Sequence, residues 1–206
     1  GEGGNLGFTQ NARIAFALAG GRLNTDALDN SGGVDMSDHE VNLKILLGAQ
    51  VAEGAMSFAQ RNELLASMTD EVSALVLRNN RNQSLAVSLD EQRSREALRD
   101  FAALISALEK EGLLDRRAAD VPSSDTLAER AAAGLGLTRP TLCVLLAYAK
   151  MQAKQKLLAS ALPDDAATQP YLAGYFPSAA VAATGQARLQ RHRLRREIIT
   201  TELTSD

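Results

Sequence analysis

With 206 residues and a net charge of −3, the chain has room for one hydrophobic core or two small ones. Apolar residues make up 45% and charged residues 23%, with five Phe, three Tyr and no Trp, so Ala and Leu carry the apolar content and favour helices. No apolar run approaches a membrane span, no cationic leader precedes a hydrophobic region, and a single Cys143 excludes an internal disulfide. A cytoplasmic, mainly α protein without membrane contact is expected.

Eight of the fifteen glycines fall within residues 1–35. Between them, "TQNARIAFALAGG" predicts a short helix with Thr9 as cap, Ile14 and Leu18 on one side and Gly20 as terminator. "RLNTDAL" predicts a short strand. Asn30-Ser31-Gly32-Gly33 reads as a loop able to take positive φ, and Ser37-Asp38-His39-Glu40 as a capping box opening a helix over 37–52.

From there the periodicity is helical. "FAQRNELLASM" is one helix, and another starts at Thr69 and continues through the polar run "RNNRNQ". "SREALRDFAALISALEKEG" places Leu98, Phe101, Ile105 and Leu108 on one face and stops at Gly112. "VPSSDTLAERAAAG" is a capped helix ending at Gly134. "LTRPTLCVLLAYAK" opens with Thr138 as cap and Pro140 in the first turn, and its apolar first half predicts the central helix of a bundle. "LPDDAATQPYLAGYFP" reads as a loop with one turn of helix, and a last helix runs from Ser178 or Gln186 to Leu203.

Few chemistries fit these residues. His39, His192 and Cys143 lie in separate elements, too far apart in sequence for a zinc site, and no metal is expected. Neither Ser31 nor Ser37 sits in a GxSxG turn, and Cys143 lies in an apolar stretch that disfavours its thiolate. "GEGGNLG" fits neither GxGxxG nor a Walker loop. The run "RLQRHRLRRE" carries Arg188, Arg191, Arg193, Arg195 and Arg196, but the chain is acidic and no aromatics interleave for base stacking. A solvated or intersubunit face is expected there, with no nucleic-acid partner. What remains is the stretch around Ser37, where the free amides of a helix N-terminus would favour an anion.

The stretches "EGGNLG", "GGRLNTDALDNSGGVDMSDHEVNLKILL", "LLASMTDEVSALVLRNN", "GLTRPTLCVLLAYAK" and "HRLRREIITTEL" resemble the C-terminal part of the large bacterial NAD-specific glutamate dehydrogenases. The resemblance covers nearly the whole chain and is weakest over 161–185. Glutamate dehydrogenases share an "EGAN" turn and a later "NAGGV" followed by a serine. Here "EGGN" ends at Asn5 with Gly4 in place of alanine, "NSGGV" spans Asn30 to Val34 with Ser31 in place of alanine, and Ser37 matches the serine.

The resemblance implies that residues 1–36 are the closing edge of a Rossmann-type NAD-binding domain, a small α/β remnant. Residues 37–206 would be the C-terminal helical domain, with helix 37–52 bridging the two. It further implies that Asn5 lies beside the cofactor ribose, Asn30 near the nicotinamide and substrate, and Val34 and Ser37 along the glutamate side chain. L-Glutamate, 2-oxoglutarate, NAD and a homo-oligomeric assembly are the implied partners. No residue of the chain matches the family's catalytic lysine or dinucleotide fingerprint, so no catalytic residue is assigned and the 206-residue chain alone is expected to be inactive. The competing expectation is a non-catalytic helical assembly or regulatory module.

Overall fold

A computed structural model describes residues 7–205, which are mainly helical with no strand among them. In chain order the helices are α1 (Gln10–Leu18), α2 (Asp26–Asp29), α3 (Ser31–Ala52), α4 (Phe58–Ser67), α5 (Thr69–Glu96), α6 (Leu98–Lys110), α7 (Ser124–Ala132) and α8 (Arg139–Leu158). Two 3-10 turns, Leu162–Asp164 and Ala166–Thr168, lead into α9 (Gln169–Tyr175), α10 (Ser178–Thr184), α11 (Gln186–Leu189) and α12 (Arg195–Leu203). The chain divides into two compact units: Gly1–Ser31 with Asn80–Ala153, and Gly32–Asn79 with Lys154–Asp206.

The first unit packs α6 and α7 with the first half of α8 and the end of α5. Val87, Leu98, Ile105, Leu108, Leu127, Leu142 and Leu145 form its core. Leu98, Ile105 and Leu108 are buried because they recur on one side of α6, as the spacing predicts, and Phe101 packs against the same cluster. Gly112 and Gly134 end α6 and α7 with φ of 70° and 66°, a region that glycine enters without strain. Ser123 caps α7 by accepting from the Thr126 amide at 3.1 Å. The buried residues of α8 run from Arg139 to Leu145, the apolar half that the sequence places centrally.

The second unit gathers Leu43, Leu46 and Leu47 of α3, Met68, Val72 and Val76 around α5's start, and Leu172, Tyr175, Phe176, Leu189, Ile198 and Ile199. Its four C-terminal arginines with assigned partners are spent internally. Arg188 and Arg191 reach Glu53 at 3.2 and 3.8 Å, and Arg195 and Arg196 both pair with Asp164.

Several expectations are corrected. Residues 22–28 form no strand: Asn24 gives its carbonyl to Arg13, and α2 starts at Asp26 with acidic side chains in its first turn. The 30–33 stretch is not a positive-φ loop. Helix α3 begins at Ser31, and Gly32 and Gly33 are helical. A Cβ at Gly32 would meet Val76 at ordinary van der Waals distance, so the close packing there does not demand glycine, and the pair is helical despite its poor helix propensity. The capping box at Ser37–Glu40 therefore does not form, because those amides already serve an existing helix. Glu40 pairs instead with Lys44 one turn on. A true capping box sits at Ser57 and Gln60, opening α4. The expected loop at 162–177 is largely helical, and the single last helix is three, interrupted at Gly185 (φ 74°) and over residues 190–194.

Candidate functional site

Asn30 occupies the joint between α2 and α3. Its backbone is in neither helix, at φ −107° and ψ 24°, and its amide donates to the Asp26 carbonyl at 2.8 Å. The side chain is half-buried and bonds to none of the described residues, which leaves its carboxamide available.

The segment leading to it is held by two buried arginines of the first unit. Arg13 of α1, 1% exposed, donates to the Asn24 carbonyl at 2.6 Å, pairs with Asp26 and lies 3.9 Å from Asp29. Arg139 of α8 donates to the Asn24 Oδ1 at 2.5 Å, to Ser88 Oγ at 2.9 Å and to the Ser84 carbonyl at 3.0 Å. Asn24 closes the network by donating to Asp29 at 2.7 Å. Asp29 is the residue before Asn30, so Arg13 is spent on the segment that carries it, while Arg139 ties Asn24 to α5, where its carboxylate partner is Glu91 at 3.5 Å. This network is absent from the sequence reading; Arg139 and Asn24 lie 115 residues apart, and no local pattern links them.

Val34 and Ser37 lie three residues apart on α3 and so share one face, which is open: Val34 is 65% exposed and Ser37 is exposed. Ser37 is not a cap. Its hydroxyl donates to the Gly33 carbonyl at 3.2 Å, one turn back. Because α3 starts at Ser31, its unsatisfied amides lie N-terminal to Ser37, and the helix-terminus reason for an anion at Ser37 is withdrawn. Asp35 and Asp38 flank the serine, and Asp35 accepts from Asn79 at 2.9 Å. Asn5 lies outside the described residues.

The other face of α3 enters the second unit's core. His39, 1% exposed, stacks on Tyr175. The Tyr175 hydroxyl accepts from Asn42 Nδ2 at 2.8 Å, and the Asn42 carbonyl accepts from His192 Nε2 at 3.1 Å. The Leu194 amide donates to His192 Nδ1 at 3.1 Å, which sets the neutral Nε2–H tautomer. Burial pushes the Tyr175 phenol well above its ordinary range and holds both histidines below theirs. More than 130 positions separate His39 and Asn42 from Tyr175 and His192, and only the "YFP" motif marks one side of the cluster.

An apolar groove of about 550 Å³ in the first unit is lined by Phe8, Arg13, Leu28, Cys143, Tyr148 and Met151, among others. Burial raises the Cys143 thiol. Among the described residues no three His, Cys, Asp or Glu side chains gather as a metal site, and no helix is long and apolar enough to cross a membrane.

A family model described as bacterial NAD-glutamate dehydrogenase, catalytic domain, matches residues 1–90, and one described as glutamate dehydrogenase, C-terminal, matches residues 134–206. The whole chain is 50% identical to the NAD-specific glutamate dehydrogenase of Pseudomonas aeruginosa. It is 46% identical to that of Halomonas elongata and 44% identical to that of Mycobacterium tuberculosis, again over all 206 residues. Along its whole length the chain is similar to a segment of the bacterial NAD-specific glutamate dehydrogenases. It spans 13% of the length of each of these relatives. Asn5, Asn30, Val34 and Ser37 all fall in the part matched by the catalytic-domain model. The buried cluster draws His39 and Asn42 from that part and Tyr175, Phe176 and His192 from the part matched by the C-terminal model.

Proposed function

We propose that the chain is the C-terminal part of an NAD-dependent glutamate dehydrogenase, which oxidises L-glutamate to 2-oxoglutarate and ammonia in the cytoplasm. The observation that carries this reading is identity of 44–50% along every residue of the chain to three enzymes of that name. NAD, when bound, supplies the hydride acceptor. Of this chain's residues, Asn30 fits a place beside the cofactor and substrate: it is half-buried at a helix joint with its carboxamide unengaged by the described residues. Asn5 is assigned to the ribose by resemblance alone.

Val34 and Ser37 are proposed to meet glutamate on an open helix face, the hydroxyl contributing a hydrogen bond to the distal carboxylate. Residues 1–36 are proposed to close the NAD-binding domain and 37–206 to form the helical domain, in a homo-oligomeric enzyme. The chain's sequence contains no GxGxxG and no residue matched to the catalytic lysine, so pyrophosphate binding and proton transfer would come from elsewhere in the parent.

The competing reading, a helical assembly or regulatory module, is favoured by the openness of Val34 and Ser37. The test is expression of the gene's full product beside the 206-residue chain. NADH formation from glutamate by the full product, and none by the chain alone, is expected. A full product with no dinucleotide fold and no activity would favour the module, and activity in the chain alone would overturn the division of labour.

A further inference from the structure

Asn80 brackets the joint at which Asn30 sits. Its side chain leaves α5 half-buried, inside the first unit, and its Nδ2 makes two hydrogen bonds. One goes to the Leu28 carbonyl at 3.2 Å and the other to Ser31 Oγ at 2.8 Å. An amide nitrogen carries two hydrogens, so both are used. The two acceptors stand on either side of Asn30, two residues before it and one after.

That joint needs an external brace. Helix α2 has four residues, too few to hold itself, and its last carbonyls lack partners within the helix. Leu28 supplies one of those carbonyls, and Asn80 satisfies it. Ser31 is the first residue of α3, so the second bond pins the start of the helix that follows. Arg13 and Arg139 hold the chain earlier, at Asn24 to Asp29, and the Asn30 amide bonds back to the Asp26 carbonyl; Asn80 is the side chain that ties the residues on both sides of Asn30 to α5.

We propose that Asn80 is a positioning residue: by bridging the Leu28 carbonyl and the Ser31 hydroxyl it sets the direction in which the Asn30 carboxamide points. This rests on the reading above that Asn30 meets cofactor and substrate. Aspartate has nearly the same shape but no N–H to give, and it would set an anion against the Leu28 carbonyl oxygen. Asn80→Asp therefore breaks the bond to the Leu28 carbonyl and replaces it with repulsion at little change in volume, while the Ser31 hydroxyl can reverse and donate to the carboxylate.

The experiment uses the full-length enzyme and compares Asn80→Asp, Asn80→Ala, Ser31→Ala and Asn30→Ala, each with its thermal midpoint, and the Asn80→Asp/Asn30→Ala double variant. Asn80→Asp is expected to lower kcat/KM for glutamate by about tenfold or more in correctly folded protein, and Ser31→Ala, which loses one of the two bonds, by less in the same direction. In the Asn30→Ala background Asn80→Asp should add almost nothing, since a positioning residue acts through the group it positions. Should Asn80→Asp not fold, Asn80→Ala and Ser31→Ala carry the same comparison. The proposal is overturned if Asn30→Ala loses activity while the Asn80 and Ser31 variants keep kcat/KM, or if the losses multiply in the double variant. If Asn30→Ala itself keeps full activity, the assignment of Asn30 fails first, and the positioning role falls with it.

Discussion

The imidazole of His39 lies nearly flat against the ring of Tyr175, with centroids 4.3 Å apart and planes inclined by 17°. Neither ring nitrogen of His39 has a hydrogen-bond partner among the described residues, and the Asp35 carboxylate is 3.7 Å from Nε2. Desolvation is the largest influence on this group and lowers its pKa; Asp35 and Asp38 oppose it, and Arg78 adds to it. The ring is thus built in as a neutral aromatic.

Stability should therefore depend on pH through the histidines. His39 and His192 both have folded-state pKa values below the ordinary 6.5, so the unfolded chain binds protons that the folded chain refuses. Their contribution is fully present above pH 6.5 and is lost as pH falls from there toward the folded values. Thermal unfolding of the 206-residue chain followed between about pH 7.5 and about pH 5.5 should show a falling midpoint. His39→Phe keeps an aromatic against Tyr175 without a titrating group and should flatten part of that slope. An unchanged slope in this variant would remove His39 from the account.

Tyr175→Phe should destabilise the chain although it deletes a single oxygen. The Asn42 Nδ2 donor, in a residue 9% exposed, would lose its acceptor. A buried unsatisfied donor costs about 1–3 kcal/mol. Urea unfolding should show a lower midpoint with an unchanged slope. Adding Asn42→Leu should cost less than the two single changes combined, because the carboxamide that needs a partner is gone and its Oδ1 has none among the described residues already. Additive losses would show that the hydroxyl stabilises through something other than Asn42.

Helices α4 to α8 were legible because their signals are local. Caps such as Ser123, stops such as Gly112 and Gly134, and the stripe from Leu98 to Leu108 sit within the elements they define. The start of α3 was not legible, since Gly32 and Gly33 argue for a loop by propensity and yet both lie in the helix. The break between α10 and α11 falls at Gly185, whose positive φ nothing in "VAATGQARL" distinguishes from an ordinary helical glycine. Of the site, Asn30 was marked by the resemblance of "NSGGV". Arg13, Arg139 and Asn80 were not, because the groups they hold come from distant sequence.

Cys143 should be inert toward thiol reagents in the folded chain. It lines the first unit's groove, yet it is only 3% exposed, and burial raises its pKa so that little thiolate exists at neutral pH. Labelling with an aromatic disulfide should be at least about a hundredfold slower in native buffer than in denaturant. Comparable rates would mean that the groove opens to the sulfur.

Ser37 in the full-length enzyme offers the sharpest test of the substrate assignment, and the structure makes it cleaner. As a cap, Ser37 would have coupled binding to stability. It lies instead on an exposed face within α3, giving a single bond to the Gly33 carbonyl, so Ser37→Ala and Ser37→Asp should leave the thermal midpoint nearly unchanged. If the hydroxyl holds the distal carboxylate of glutamate, aspartate places one anion against another, beside Asp35 and Asp38, and removes the donor. A loss of about 2–3 kcal/mol in substrate binding corresponds to a KM for glutamate raised about thirtyfold to about 150-fold. Ser37→Ala, which adds no charge, should raise KM by a smaller factor, and Ser37→Thr, which keeps the hydroxyl, least of all. KM for glutamate, KM for NAD and the melting midpoint, measured side by side, separate the cases. Equal KM values for wild type and Ser37→Asp would place the glutamate carboxylate elsewhere, whereas a rise in KM for glutamate with KM for NAD unchanged would put it at Ser37.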